Sequence, residues 1–490
     1  MTTTNKPETF TAVIIGTGFG GQTAAMKLKK MGIDDYVMLE RRDFMGGTWC
    51  QNTYPGAAVD VQSPLYSIEA EPYRWTQMFA EQAELEKYTN YVIDKNGLRQ
   101  KARLNTNVEG VEWQEAEQQW QVNTNNGTYR AQFLINASGP LSTPVIPDFP
   151  GRDDFEGKSF HTNGWDWDYD YKGKRVAVIG SGASAAQAIP AIADDVAELH
   201  VFQRTPHWVL PRPDRKFFKF ERFLLGFKPL YKLLRRTIYW SLETRVIGFK
   251  YSKAMLNLVA QRKAERFIKK AIKDPALQAA VKPDYTIGCK RIILSSTLYP
   301  AMDQDHVQVH TKDDGIAEIN ANGIKTTKGQ QCDVDLIVYA TGYQATDGVI
   351  SYPVVGKGGR TIADQWAEFP RAYLGTSIPG FPNLFIMTGP NTGIGHTSAI
   401  FVIEAQLEYI ARAIAKVRQT GKQAIEVKPD AEAKYTQMIH SEMERTVWKQ
   451  GGCTSWYQSK SGHVIAMFPG FSFTFRQIAK AFKPEHHEFV

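Results

Sequence analysis

At 490 residues, with 43% hydrophobic and 22% charged side chains, the chain is long enough for about three domains, which excludes a lone binding module and a disordered or fibrous protein. The net charge of +7 is unevenly spread: between Arg215 and Lys273 there are 17 Lys and Arg against three acids, so the rest of the chain is acidic. The four cysteines, Cys50, Cys289, Cys332 and Cys453, lie at least 43 positions apart, which excludes a CxxC motif or a zinc knuckle and suits a reducing cytosol.

In chain order, Met1 to Phe10 is polar and lacks the apolar segment of a signal peptide. Nowhere does a run of 18 uncharged apolar residues occur, so no membrane-spanning helix is expected and the cytoplasm is the expected compartment. Phe10 to Ile15 reads as a strand leading into the turn Gly16-Thr17-Gly18-Phe19-Gly20-Gly21 and a helix over Gln22 to Met31. The next strand, Tyr36 to Leu39, ends on Glu40, 24 residues after Gly16. A carboxylate there accepts hydrogen bonds from ribose hydroxyls and repels a 2′-phosphate, so this site takes FAD or NAD. A further strand-then-glycine segment spans Phe133 to Gly139, and Pro144, Pro147 and Pro150 form a stiff linker.

The pattern then repeats. Arg175 to Ile179 runs into Gly180-Ser181-Gly182-Ala183-Ser184 and an Ala-rich helix, and the residue 24 positions after Gly180 is Arg204. A guanidinium at that position suits a 2′-phosphate, so equal spacing with opposite charge points to NADPH. The segment from 216 to 273 interleaves apolar and basic residues as several amphipathic helices. Beyond it come the strand-then-glycine segment Leu336 to Gly342, the strand Leu384 to Met387, the turn Gly389-Pro390-Asn391-Thr392-Gly393-Ile394-Gly395 and a helix from about Ser398 to Val417.

Phe155-x-Gly157-x3-His161-x3-Trp165-Asp166 resembles the fingerprint FxGxxxHxxxW of the Baeyer–Villiger monooxygenases, class B flavoprotein monooxygenases. Gly46-Gly47-Thr48-Trp49, Tyr54-Pro55-Gly56, Phe202-Gln203-Arg204-Thr205-Pro206, Cys289-Lys290-Arg291 and Ala340-Thr341-Gly342-Tyr343 extend the resemblance from about residue 10 to Gly470. It implies an α/β fold with two Rossmann-like dinucleotide-binding domains, for FAD and NADPH, and a helical insertion in the NADPH domain. The expected boundaries are 1–145 and 376–490 for the FAD domain, 151–213 and 284–375 for the NADPH domain, and 214–283 for the insertion. The implied reaction converts a ketone to an ester or lactone with NADPH and dioxygen, through a flavin peroxide. Carried over by position, Arg291 is the catalytic arginine and Asp60 its partner. The implied cofactor set is Gly16, Gly18, Gly21, Glu40, Gly47, Thr48, Trp49, Tyr54, Gly180, Gly182, Ser184, Arg204, Thr205, Lys290 and Asn391. Phe155, Gly157, His161 and Trp165 would couple the two domains.

The chemistry explains why those residue types are needed. A fixed cation stabilises negative charge on the reacting oxygens, and Arg291 never loses its charge. A nearby carboxylate offsets the burial of that cation. Read without the resemblance, Arg291 is a surface arginine and Asp60 a helix cap before Val61. His161 serves equally as a coupling residue or as a hydrogen-bonded linker histidine. Trp456 borders the pocket or packs. His306, His310 and His396 show no metal-ligand spacing, and no metal is expected. The basic segment is either a solvated insertion or a membrane-surface element in which its phenylalanines, leucines and tryptophan meet the bilayer interface. Nucleic-acid binding does not fit a chain that is acidic elsewhere. Sulfide or amine oxygenation is the rival activity; a disulfide reductase would need a cysteine pair beside the flavin, and Cys50 has no partner in sequence.

Overall fold

The computed structural model describes residues 6–345 and 350–490. The first unit is built on β1 (Glu8–Ile15), β2 (Tyr36–Leu39), β3 (Ala102–Arg103), β4 (Val108–Gln114), β5 (Gln119–Thr124) and β6 (Gly127–Asn136), with α1 (Phe19–Lys30), the short α2 (Thr48–Gln51) and α3 (Gln82–Lys95). Val354–Val355 pairs with β4, and the sheet order continues β5, β6, β1, β2, β3. β6 changes partner along its length. On one side its first half pairs antiparallel with β5 and its end runs parallel to Leu384–Ile386, while on the other side β1 runs parallel to it from Tyr129 to Asn136. All four residues of β2 are buried, and so is the C-terminal half of β1, as expected for parallel strands covered on both faces.

The second unit is an all-parallel sheet of β7 (Lys158–His161), β8 (Arg175–Ile179), β9 (Glu198–Phe202), Val307–His310 and Leu336–Tyr339, with α4 (Ala183–Ile192) opening after the second glycine turn. Its order is Val307–His310, β9, β8, Leu336–Tyr339, β7, which brings the fingerprint segment to one edge. The two glycine turns are built alike. Gly16 and Gly180 have φ of +101° and +136°, and a Cβ on either would lie 2.6 Å or 2.2 Å from the carbonyl oxygen of Ala137 or Ala340. Each therefore requires glycine for close backbone approach as well as for its positive φ. The pairing of Val354–Val355 with β4 shows that the chain has rejoined the first sheet by residue 354, ahead of the change-over expected at residues 375 and 376.

The insertion contains α5 (Lys219–Leu224) and α6 (Lys228–Glu243), followed by irregular helical turns. Although it leaves from the second unit, it is clamped to the first. The buried Tyr231 hydroxyl bonds Ser67 Oγ at 2.8 Å and accepts from Trp75 Nε1 at 3.0 Å. The buried Arg235 donates to the carbonyls of Leu65 and Ser67 and pairs with Glu404. Tyr231 is therefore a core residue, as are Phe217 and Leu225, which the membrane-surface alternative counts among the residues meeting the bilayer. No helix among the described residues is long and apolar enough to cross a membrane.

Candidate active site

The first glycine turn opens onto a groove of about 270 Å³, lined by Gly16, Gly18, Glu40, Gly47, Thr48 and Trp49 among others. Glu40 is fixed rather than free. One carboxylate oxygen accepts from Thr17 N and Oγ1 at 3.2 and 2.6 Å, and the other accepts from Arg42 N at 3.1 Å. A carboxylate offers about four acceptor sites, so one remains for an incoming hydroxyl. Gly21 lies behind the groove, where a Cβ would stand 2.0 Å from Gly16 O. Trp49 Nε1 donates to Tyr66 OH at 3.2 Å, which sets its ring at the groove wall.

Two further residues of the expected cofactor set are held by hydrogen bonds across the fold. Tyr54 is buried against the second unit, its hydroxyl donating to Gln187 Oε1 at 2.8 Å, close to Ser184; burial holds its pKa up at about 12. Asn391 spends its side-chain amide on the carbonyls of Val464 and Met467, both at 3.0 Å, and so ties the Gly389–Gly395 turn to the 464–467 loop.

At the second glycine turn Gly180 and Ser181 line a small cleft with Gln203 and Pro206, Gly182 caps the start of α4, and Ser181 Oγ donates to Thr205 O at 2.7 Å. Arg204 is exposed, and Lys290 stands close enough that burial first and then the Arg204 charge pull its pKa below the usual lysine value. Among the described residues no carboxylate pairs with either cation. The Asp284 charge acts on Lys290 less than that of Arg204 does, and two like charges held together make a site for an anion such as a phosphate.

A larger cavity, about 640 Å³ and mostly apolar, adjoins the groove; Tyr66, Pro140, Leu141, Thr388 and Ala399 line both. In its wall stand Asp60 and Arg291, which form an ion pair. Asp60 caps no helix, since none begins at Val61. The Arg291 side chain is 44% exposed and is held above its ordinary pKa, chiefly by Asp60. Tyr457 and the half-exposed Trp456 also line the cavity.

The fingerprint segment lies at the junction of the two units. Phe155 lies over Gly157, where a Cβ would meet its ring at 2.4 Å. His161 ends β7 and accepts from Asn163 N at 3.0 Å through Nδ1; burial pushes its pKa down to about 4, so the ring is neutral at neutral pH. Trp165 packs on Phe160 at 5.1 Å. The direct polar link joins Tyr343 of the Ala340–Tyr343 motif to Gln51, Asn52 and Asn163, which no motif assigned a role. Gln51 donates to Asn163 O, Asn163 Nδ2 donates to Asn52 Oδ1 and Tyr343 OH, and Tyr343 OH donates to Asn52 Oδ1 at 2.7 Å. Their recurring neighbourhood to the GGTW, fingerprint and ATGY segments is the signal that could have found them.

Three further placements were invisible in the spacing. His200, His310 and Cys332 are buried with their ligand atoms within 4.8 Å of one another on the second sheet, and the two imidazoles hydrogen-bond at 3.2 Å. His396, in the cavity wall, pairs with the buried Glu243 at 3.0 Å. Most consequential, Cys289 and Cys453 are joined by a disulfide, contrary to the expectation of unpaired cysteines in a reducing compartment. Cys50 is free, and burial raises its thiol pKa to about 12, so it supplies no thiolate for disulfide-reductase chemistry.

Residues 13–217 match the family described as "Pyridine nucleotide-disulphide oxidoreductase". A protein named "Baeyer-Villiger monooxygenase" from Pseudomonas aeruginosa is 44% identical over 474 residues, 96% of this chain and 89% of that one. Another of the same name from Streptomyces coelicolor is 42% identical over 467 residues, 95% and 89% of the two chains. Among solved structures, a steroid monooxygenase bound to NADP superposes with a TM-score of 0.88 at 30% identity, covering 99% of both chains. A closed form of cyclohexanone monooxygenase gives 0.89 at 28% identity, covering 99% and 100%.

Proposed function

The chain belongs to the Baeyer–Villiger monooxygenases, and from that premise we propose which of its residues carry the reaction. The enzyme is an FAD- and NADPH-dependent flavoprotein monooxygenase that converts ketones to esters or lactones with dioxygen. The observation that carries the assignment is the Asp60–Arg291 pair in the wall of an apolar cavity contiguous with the glycine groove.

The residues present fit both cofactors. Gly16, Gly18, Gly47, Thr48 and Trp49 would hold FAD, with the anchored Glu40 offering its remaining acceptor to the ribose. Gly180, Gly182, Arg204, Thr205 and Lys290 would hold NADPH, the two cations taking the 2′-phosphate. FAD, once bound and reduced by NADPH, supplies the activation of dioxygen. Arg291 supplies a permanent positive charge where the ketone carbonyl becomes an oxyanion, and this stabilises the anion more than the neutral carbonyl. Asp60 offsets the partial burial of that charge and fixes the direction of the guanidinium. The apolar wall keeps water from the reacting carbonyl and favours a ketone with a hydrophobic body. Product mass analysis after incubation with NADPH, dioxygen and a panel of cyclic, linear and aryl ketones plus a sulfide should show ester or lactone heavier than the ketone by one oxygen. Sulfoxide from the sulfide, with no ketone converted, would contradict the reading.

The insertion is the second part of the proposal: it meets an anionic membrane surface. Phe218 is 74% exposed, Leu233 61% and Val259 63%. On α6 the outward Leu230, Leu233 and Trp240 share one face, while Tyr231, Ile238 and Leu242 fill the protein core from the other. The surrounding excess of 17 Lys and Arg over three acids complements anionic headgroups. Val259 and Met255 of the insertion are both exposed and line the cavity, so the cavity reaches the surface at the insertion, which suits a ketone drawn from lipid. The protein should pellet with phosphatidylserine-containing vesicles at low salt and be released as the ionic strength rises to about 0.5 M. Phe218→Asp together with Leu233→Asp should abolish pelleting; no pelleting of the unaltered protein at any ionic strength would leave a solvated insertion.

A further inference from the structure

We propose that Cys289 and Cys453 are a redox modification site, oxidised by hydrogen peroxide and reduced by thiols, whose disulfide form holds Arg291 in its place at the cavity wall. This rests on the role given to Arg291 above. The bond joins two loops 164 residues apart in sequence, one in the unit that binds NADPH and one near the C-terminus. Cys289 is fully buried and lies two residues before Arg291, with Lys290 between them. Cys453 is only half buried, lies between the exposed Gly452 and Thr454, and leads directly into Trp456 and Tyr457 of the cavity wall. The loops also meet through the backbone. Thr286 N donates to Gly451 O at 3.1 Å, and a Cβ on Gly451 would lie 2.6 Å from Cys289 Cβ. Arg291 is thus flanked by two ties, the ion pair to Asp60 and the disulfide that fixes the loop facing it. With the disulfide cut, the stretch between Gly451, held by Thr286 N, and Tyr457, whose carbonyl accepts from Ile465 N and Ala466 N, loses its covalent tie to Cys289, and the wall behind the guanidinium loosens.

The chemistry balances with a reactant the enzyme itself produces. When NADPH is oxidised without a ketone, one NADPH, one proton and one dioxygen give NADP⁺ and hydrogen peroxide. The Cys453 thiolate, the accessible sulfur, attacks one peroxide oxygen; the O–O bond breaks, leaving a sulfenic acid and water once the hydroxide takes a proton. The Cys289 thiol then attacks that sulfur and displaces a second water, so two thiols and one peroxide become one disulfide and two waters. In reverse, a thiolate reductant attacks Cys453 and releases Cys289, and a second thiol completes the exchange. Unproductive turnover would thereby restore the form that turns over productively.

The test uses the FAD-loaded full chain, divided into a sample reduced with a phosphine and freed of it, and a sample of that reduced protein treated with hydrogen peroxide. Thiol titration of the unfolded protein should give four in the first and two in the second, since Cys50 and Cys332 are unpaired. Tryptic cleavage after Lys449 and Lys460, which flank the loop, should be about threefold or more faster in the reduced form. Hydrogen peroxide released per NADPH in the presence of a converted ketone should rise severalfold on reduction and return on reoxidation. Cys453→Ser should resemble the reduced protein and respond to neither treatment. Four thiols after peroxide treatment, or identical cleavage and peroxide yield in the two forms, would overturn the proposal. If neither form converts any ketone, the functional reading fails, while the thiol count and the cleavage rates still decide whether the site exists.

Discussion

Replacement of Arg291 by alanine should leave a folded, yellow, FAD-loaded protein that has lost ester formation by about 10²–10³-fold, which is roughly 3–4 kcal/mol of barrier. Two features of the site lead to this expectation. The side chain faces the cavity, and its partner is a single carboxylate, Asp60, so its removal opens space in a cavity wall and breaks no core packing. The charge is also preorganised, because Asp60 holds the guanidinium before substrate arrives. A merely structural role predicts something else: flavin content, thermal midpoint and every activity would fall together. Sulfide oxygenation develops no carbonyl-derived oxyanion and should fall less than ester formation. Asp60→Ala should show a weaker form of the same pattern, since it removes the orienting carboxylate and leaves the cation. Flavin absorbance, thermal melting and product yield measured on one preparation separate the outcomes. A folded, flavin-loaded Arg291→Ala enzyme that makes ester at near the unaltered rate would remove Arg291 from the reaction.

Much of the scaffold was legible because its constraints are local. Gly16 and Gly180 occupy backbone positions that a Cβ would block, so the turns are written in consecutive residues. Glu40 and Arg204 follow at a spacing set by one helix and one strand, which is why the opposed charges could be read directly. The pieces that escaped depend on contacts between distant segments. Nothing in the sequence near Asn163 shows that its amide meets Asn52 and Tyr343, 111 and 180 positions away. The same holds for Cys289 and Cys453, whose separation reads as scattered cysteines until the fold joins them. Tyr54 and Asn391 sit in motifs that the resemblance gives to the cofactor, and the distant partners their side chains bond, Gln187 and Val464, are of the same tertiary kind. The insertion shows a limit of amphipathic periodicity. On α6 both faces carry apolar residues, and only the tertiary contacts of Tyr231 and Arg235 show which face is core.

That separation between what is local and what is tertiary bears on the two nucleotide sites. In the groove of the first unit the anion-repelling group is tied down by three hydrogen bonds, so its effect is built into the fold. In the second unit neither cation forms a salt bridge among the described residues, and their mutual repulsion at Lys290 exceeds what the Asp284 charge offsets. An incoming phosphate relieves that repulsion as it binds, which favours NADPH beyond the hydrogen bonds it forms.

Cofactor choice should therefore move sharply when these cations are removed. A hydrogen bond from a charged group contributes about 1.5–3 kcal/mol, about tenfold or more in affinity for each cation. Arg204→Ala or Lys290→Ala should raise the NADPH Michaelis constant by about that factor and leave the NADH constant nearly unchanged. The double variant should lose more, approaching about a hundredfold, but less than the product of the two single effects. Each single substitution removes the neighbour whose charge opposes the remaining cation, so the effects of neighbouring groups do not add. Arg204 makes the clearer test. It is exposed and bears on Lys290 through charge alone, whereas Lys290 directly precedes the proposed catalytic Arg291, and its ammonium lies 5.3 Å from the Tyr285 ring. Initial rates with each nucleotide under saturating ketone give both constants from one preparation. Equal losses with NADPH and NADH would mean that the cations hold the loop or the shared pyrophosphate, and the 2′-phosphate assignment would fall.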